Sequence, residues 1–404
     1  MNKLTLRDVN VRGRRVLVRV DFNVRLTDND RILDDFRITQ SLPTIRYLRE
    51  HGARVILCSH LSRPEEASEP ERFSMGVVAK RLTKLLEITV PVAPGCVGPE
   101  VERAVARLVD GDILLLENLR FDPGEAKNDR EFAERLASLG EVYVSDAFAT
   151  AHRKHASVFE VPKILGTAIA GFLVEEEIKH LEPLVVNPAR PYGAIFGGAK
   201  ISDKVDLIRH FLKIADVLVL GGAMANTFLK AQGFEVGKSR AEASETGTAL
   251  QILAEAKEKG KRLLLPIDVV VAEGPNAADS AKQVDVADVG SDQLILDIGS
   301  RSVAAFAKEL KRCKTIVWNG PVGRYEVPRF ARGTRALARA IGKIPAYRVA
   351  GGGDTSALHR LSGVMDQFDW VSTGGGAFLE YLLTPNLPGL SVLTDRPHDA
   401  TPTG

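Results

Sequence analysis

The sequence predicts an α/β protein in two halves, each built on a mainly parallel sheet flanked by helices. Three observations carry this. Short β-rich runs alternate with amphipathic helical patterns from end to end, as in βαβ units. The second half repeats the scheme of the first. Between them, Gly171–Leu181 reads as a helix, followed by Pro183 and by Asn187-Pro188-Ala189-Arg190-Pro191, punctuation that suits an interdomain connector.

In the first half, strands are expected at Arg15–Val20, Arg54–Ser59, Ile113–Glu117 and Val142–Ser145. Helical patterns lie near Gln40–Glu50, Met75–Leu86 and Arg130–Leu139. In the second half, strands are expected at Tyr192–Phe196, Val217–Leu220, Arg262–Leu265, Thr315–Trp318, Tyr347–Ala350 and Trp370–Ser372. No low-complexity segment or short solenoid period interrupts the pattern.

The chain has 404 residues, enough for two or three domains at ~150 residues each. A hydrophobic fraction of 45% and a charged fraction of 26% are those of a globular protein with a sizeable core. The formal charge is only +2, so no global field calls for nucleic acid or an anionic membrane. Cys58, Cys96 and Cys313 are too widely spaced for a disulfide framework and fit a reducing cytosol. Neither a signal-peptide hydrophobic region nor a membrane-spanning apolar run is recognisable. A cytoplasmic enzyme is expected.

Ligands of open α/β sheets bind beyond the carboxyl ends of the strands. In the first half those ends carry Asp21 and Asn23, His60 and Arg63, Arg120, and Asp146 with His152 and Arg153. In the second they carry Gly197-Gly198 with Lys200, Gly221-Gly222, Asn319-Gly320, Gly351-Gly352-Gly353-Asp354 and Gly374-Gly375-Gly376. Arginine forks match carboxylate and phosphate oxygens, which suits a small, strongly anionic substrate. Gly-rich turns at helix N-termini suit nucleotide phosphates. The stretch Ile195–Lys204 is the sharpest example. Two glycines let the backbone approach a ligand, Ser202 reads as an N-cap, and Lys204 falls in the first helical turn with Lys200 just ahead. Cations at the positive end of a helix dipole make sense around a polyanion. Asp354, at a helix start, reads either as an N-cap or as a Mg²⁺ ligand beside phosphates.

Other patterns do not hold. Gly233–Ser239 nearly spells a P-loop but is one residue short and follows a helix rather than a strand. No Gly-x-Gly-x-x-Gly fingerprint occurs, and the protein-kinase motifs are absent. His152 and His155 flank two cations and lack a third ligand, which argues against zinc.

Long co-linear motifs run over almost the whole chain. In the first half they are Arg19-Val20-Asp21-Phe22-Asn23-Val24, Asp34-Asp35-x-Arg37-Ile38, Ser59-His60-Leu61-x-Arg63-Pro64, Leu115–Phe121, and Asp146-Ala147-Phe148 with Thr150-Ala151-His152-Arg153. In the second half they are Gly197–Lys204, Gly221–Lys230, Thr315–Gly323, Gly351–Thr355 and Ser372–Glu380. Together these motifs resemble the phosphoglycerate kinase family. The resemblance implies two Rossmann-like lobes joined by a hinge helix. Residues 1–170 would form the 3-phosphoglycerate lobe, joined by the tail 386–404; residues 171–189 would form the hinge, and 190–385 the nucleotide lobe.

The activity implied is reversible transfer from 1,3-bisphosphoglycerate to Mg·ADP, giving 3-phosphoglycerate and ATP, by a monomer. By resemblance, Asp21, Phe22, Asn23, Arg37, His60, Leu61, Ser62, Arg63, Arg120 and Arg153 would hold 3-phosphoglycerate. Gly197, Gly198, Lys200, Lys204, Gly221, Asn319, Pro321, Glu326, Gly352, Gly353, Asp354 and Thr355 would hold ATP or ADP, with Glu326 on the ribose and Asp354 at Mg²⁺. Arg37, Lys200, Lys204, Gly375 and Gly376 would surround the transferring group, Arg37 and Lys200 from opposite lobes. The sequence departs from the family at Arg25, at Ser62 and Ala149 (commonly glycine), and at Arg324-Tyr325.

A carboxylate nucleophile is already ionised at pH 7, so the demand is for positive charge and in-line placement rather than a base. Two lobes carrying one substrate each imply hinge motion. A nicotinamide-dependent dehydrogenase and a catalytically silent nucleotide-binding scaffold stand as alternatives. The missing glycine fingerprint weighs against the first, and the retained anion cage against the second.

Overall fold

The computed structural model describes residues 2–352 and 363–397. The chain divides into two compact units, one of residues 1–179 with 384–404, the other of residues 180–383.

The first unit is built on five parallel strands: β1 (Arg15–Val20), β2 (Arg54–Cys58), β3 (Ile113–Leu115), β4 (Val142–Asp146) and β5 (Ala168–Ala170), in the order β3-β2-β1-β4-β5. Strands β2, β3 and β4 are almost wholly buried, and β1 is buried after its first residue. Such runs lack the apolar–polar alternation of a half-exposed strand, as expected when helices cover both faces. Val16, Val18, Val55, Leu57 and Val144 form the core with Ile38, Ile45 and Leu48 of the helix Phe36–Glu50. The C-terminal segment belongs to this unit. Leu4 N donates to Thr394 O at 2.8 Å, and Thr394 N to Ala168 O at 2.8 Å.

Several boundaries differ from the expected ones for identifiable reasons. The Phe36–Glu50 helix starts four residues early because Asp34 Oδ1 accepts from Phe36 N at 2.8 Å. Strand β3 stops at Leu115 because Glu117 turns away to cap another helix, accepting from Met75 N and Ser74 Oγ, each at 2.7 Å. The fifth strand was not anticipated; three residues are too few to show a period. The connecting helix runs Phe172–Val185, past Pro183. Its first N–H groups have side-chain acceptors, Phe172 N to Thr44 Oγ1 at 2.9 Å and Leu173 N to Asp146 Oδ1 at 3.0 Å.

The second unit carries β6 (Tyr192–Phe196), β7 (Val217–Leu220), β8 (Arg262–Leu264), β9 (Asp268–Ala272), β10 (Lys282–Asp285), β11 (Leu294–Ile298), β12 (Thr315–Asn319), β13 (Tyr347–Ala350) and β14 (Trp370–Val371). Six of these form a parallel sheet, β14-β13-β12-β6-β7-β8. The other three form an antiparallel sheet, β10-β9-β11, that the periodicity did not reveal. Lys282 and Gln283 are exposed and β11 carries a register shift between Ile295 and Asp297, so neither strand reads as a clean apolar run. The second core joins Ile195, Val217, Ile316 and Trp318 to Leu337 and Ile341 of the helix Arg332–Gly342. Gly233–Ser239 does follow a helix, Ala223–Ala231, and its Gly237 pairs with Leu294. Together the units make an α/β fold of two Rossmann-like lobes joined by the Phe172–Val185 helix.

Candidate active site

Loops at the carboxyl ends of β1, β2, β3 and β4 enclose a cavity of about 500 Å³ in the first unit. Asn23, His60, Ser62, Arg63, Arg120 and Arg153 line it, with Phe73, Ala67 and Glu66. Three guanidinium groups therefore share one small space with a single carboxylate, and Glu66 is engaged by Arg63 at 2.9 Å. Arg120 Nη1 donates to Ser62 O at 2.6 Å, while its buried Nε has no acceptor among the described residues. Burial and the neighbouring Arg153 hold Arg120 below its ordinary pKa. The cavity carries an excess of positive charge over its one carboxylate.

The loops are locked to one another by bonds from asparagine side chains to the main chain. Asn23 Oδ1 accepts from Ser62 N at 2.8 Å. Asn118, fully buried, accepts from Leu61 N at 3.1 Å and donates to Leu61 O at 2.8 Å. Ser62 sits at φ +55°, the left-handed region, with both its peptide N–H and its carbonyl in use. Asp21 and Arg37 stand behind Asn23. Arg37 Nη1 donates to Asp21 Oδ2 at 2.6 Å and to Asn23 O at 3.4 Å. Phe22 and Leu61 are fully buried in the core, so their side chains support the loops and do not line the cavity.

His60 is 5% exposed and its pKa lies well below the usual histidine value. Burial is the main cause, and Arg19, Arg120, Arg153 and Arg37 add repulsion. His152 and His155 are pushed down to about 4, again mainly by burial with Arg153 next. These imidazoles are neutral at pH 7.

The second unit carries a cavity of about 600 Å³ at the carboxyl ends of its parallel strands. Gly198, Gly222, Pro321 and Glu326 line it, and Leu294, Ile295, Leu296 and Ile298 of β11 supply an apolar wall. Strand order reverses between β6 and β12, the switch point at which open sheets bind ligands. There Gly197 N donates to Asn319 O at 2.8 Å. Lys204 Nζ donates to Gly197 O and Asn319 Oδ1, and Asn319 Nδ2 to Gly351 O at 2.6 Å. Gly352, at φ +119°, has no room for a Cβ because Asn319 Nδ2 occupies that space. A Cβ at Gly197 would overlap Pro321 O, and one at Gly221 would overlap Val322.

Ser202 is not the N-cap. The helix spans Val205–Ile214, and Lys204 itself is the capping residue, one position ahead of the first turn instead of within it. Ser202 Oγ instead donates to Glu242 Oε1 at 2.7 Å, and Glu242 Oε2 accepts from Ile201 N at 2.6 Å. Glu242 thus holds the loop that presents Lys200, which is exposed. Gly375 adopts φ +53° just before the helix Gly376–Leu383. Gly353, Asp354 and Thr355 lie outside the described residues. Among the described residues no three His, Cys, Asp or Glu side chains gather as metal ligands. A Mg²⁺ held by one carboxylate and nucleotide phosphates needs no such cluster.

Sequence reasoning missed the β11 wall, Arg240, which also lines the Gly-rich cavity, and Glu242. The β11 wall lies in the antiparallel sheet that the pattern did not reveal, and Arg240 and Glu242 carry no local signal. Asn226, inside the Gly221–Lys230 motif, lines the same cavity.

A family model for phosphoglycerate kinase matches residues 6–384. The chain belongs to the phosphoglycerate kinase family. It is 48% identical over 396 residues to the phosphoglycerate kinase of Pelotomaculum thermopropionicum, covering 98% of this chain and 100% of that one. It is 47% identical over 396 residues to the Aquifex aeolicus phosphoglycerate kinase, covering 98% of this chain and 99% of that one. The structure of phosphoglycerate kinase from Coxiella burnetii matches with a TM-score of 0.83 at 40% identity, covering 96% of this chain and 98% of that one. That of phosphoglycerate kinase from Pyrococcus horikoshii matches with a TM-score of 0.86 at 30% identity and the same coverage. In this member the family's motifs fall on both cavities. Arg19–Val24 leads into the arginine-lined one, and Gly197–Lys204 with Thr315–Gly323 frames the Gly-rich one.

Proposed function

We propose that this chain catalyses reversible phosphoryl transfer from 1,3-bisphosphoglycerate to Mg·ADP, giving 3-phosphoglycerate and Mg·ATP. The observation that carries the reading, beside family membership, is the arginine-lined cavity at the carboxyl ends of the first sheet. Three guanidinium groups and a buried, unsatisfied Arg120 Nε suit the phosphate and carboxylate oxygens of 3-phosphoglycerate. The other unit's Gly-rich turns and apolar β11 wall suit phosphates at one end and a base at the other.

The acceptor needs no general base, since both the 3-phosphoglycerate carboxylate and the ADP phosphate are ionised at pH 7. The protein's part is placement and charge. We assign Asp21, Asn23, His60, Arg63, Arg120 and Arg153 to binding the acceptor, with Phe22, Leu61 and Ser62 shaping its loops. Gly197, Gly198, Gly221, Asn319, Pro321, Glu326 and Gly352, with Gly353 and Thr355, are assigned to the nucleotide. Arg37, Lys200, Lys204 and the backbone at Gly375-Gly376 are assigned to the charge that develops on the transferring group. Mg²⁺ arrives with the nucleotide and supplies positive charge at the phosphate oxygens; Asp354 is assigned to it.

The reading extends to a monomer in the cytoplasm, which its three free, buried cysteines suit. Among the described residues no helix is long and apolar enough to cross a membrane. Mixing the protein with 3-phosphoglycerate, Mg·ATP and hydroxylamine tests the activity. Trapped hydroxamate proportional to enzyme is the expected result; ATP binding without hydroxamate would revive the scaffold.

A further inference from the structure

Beneath the arginine-lined cavity lies a second, wholly buried polar network that the reaction as described does not use. Arg19 is 1% exposed on β1. Its Nε donates to Ser157 Oγ at 2.8 Å, its Nη1 to Val20 O, and its Nη2 lies 3.2 Å from His60 Nδ1. Ser157 Oγ in turn donates to Glu125 Oε1 at 2.6 Å, and Ser157 N donates to Glu125 Oε2 at 2.9 Å. Glu125 and Ser157 are both 0% exposed, and Tyr143 Oη donates to Ser157 O at 2.8 Å. A buried guanidinium thus reaches a buried carboxylate through one hydroxyl. Such a pair is stable only when its remaining donors are satisfied, and His60 takes one of them.

The chemistry of that contact is one-directional. A guanidinium has donors and no acceptor, so His60 Nδ1 must be the acceptor and cannot carry a proton. The imidazole proton is then on Nε2, and His60 itself lines the cavity. We propose that Arg19, anchored through Ser157 to Glu125, is a positioning residue that fixes His60 as a neutral Nε2–H donor to an oxygen of the bound 3-phosphoglycerate. The proposal rests on the acceptor-binding role of this cavity given above. It assigns Arg19 no contact with substrate; the guanidinium acts through the imidazole. A freely rotating or Nδ1-protonated His60 would present a lone pair to an anionic oxygen and repel it.

The test reads the tautomer directly. Long-range ¹H–¹⁵N correlation spectra of ¹⁵N-histidine-labelled protein at pH 7 identify His60 by its loss in His60→Gln. The ligand-free wild type is expected to show the Nε2–H pattern alone. In Arg19→Met the Nδ1–H form should appear, and KM for 3-phosphoglycerate should rise about tenfold with KM for Mg·ATP unchanged. Should Arg19→Met fail to fold, Ser157→Ala decides, because it keeps both charges and removes only the bridging hydroxyl. It should shift the tautomer and KM in the same direction. An Nδ1–H His60 in the wild type, or wild-type tautomer and KM in the folded variants, would overturn the proposal. Failure of the functional reading is distinguishable. It would appear as absent turnover in a wild type whose His60 still shows the Nε2–H pattern.

Discussion

Arg37 and Asp21 form an ion pair of 2.6 Å in which the carboxylate is 5% exposed and the guanidinium 31%. Asp21 follows β1 directly, and Arg37 stands in the first turn of the helix Phe36–Glu50, so two separate elements fix one guanidinium. An arginine so held loses little rotamer freedom when it meets developing charge. Arg37→Ala is expected to lower kcat by roughly 10²–10³, the range for loss of one preorganised donor. ADP affinity by calorimetry should stay at the wild-type value, since Arg37 does not line the Gly-rich cavity. Equal loss of turnover and ADP binding would contradict the assignment.

Ser62 occupies the left-handed region at φ +55°, a conformation that favours glycine. A Cβ there costs roughly 1–2 kcal/mol, offset in part by the greater freedom glycine has in the unfolded chain. Both hydrogen bonds of Ser62, to Asn23 and Arg120, are made by main-chain atoms and survive its replacement. Ser62→Gly should therefore stabilise the protein by about 1 kcal/mol or somewhat less in urea unfolding, leaving KM for 3-phosphoglycerate unchanged. A lower urea midpoint would show that the serine hydroxyl contributes.

Asp146 caps the connecting helix from a fully buried position, and burial raises its pKa to about 7, against the lowering effect of Thr44 and the Leu173 and Val174 N–H groups. Asp297 is raised to about 8, also by burial. A carboxyl whose folded pKa exceeds its unfolded value holds a proton that the unfolded chain releases, so stability falls as pH rises from about 4 through the folded pKa. His152 and His155, depressed to about 4, act in the opposite sense between pH 4 and their unfolded value of about 6.5. His60, also held low by burial, acts in the same sense, and all three fade only about one pH unit above that unfolded value. Unfolding free energy should therefore fall between about pH 7.5 and 8, and Asp146→Asn should flatten the lower part of that fall. A slope unchanged in Asp146→Asn would place the titration elsewhere.

The parallel sheets were legible because their buried strands are continuous apolar runs, Val142–Val144 and Val217–Leu220 among them, bounded by glycine or acidic turns. Position after those strands then placed His60, Arg120 and Lys200 beyond strand ends. What the residues alone could not convey is contact across distance. Nothing local in Glu242 says that it receives Ile201 N and Ser202 Oγ. Nothing in Glu125 says that a hydroxyl joins it to Arg19. Ser202 misled because serine before an apolar period favours an N-cap. Its hydroxyl found a carboxylate instead, and the helix began two residues later than that cap would set it.

Exposed Lys200, on the loop held by Glu242, is the residue proposed to supply charge to the transferring phosphoryl group. The direct measurement is steady-state hydroxamate formation from 3-phosphoglycerate and Mg·ATP by wild type and Lys200→Ala at equal, saturating substrate. Turnover is expected in the wild type, with a loss of roughly 10²-fold or more in the variant. Wild-type turnover retained in Lys200→Ala would contradict it and move the catalytic charge to Lys204 or Arg37.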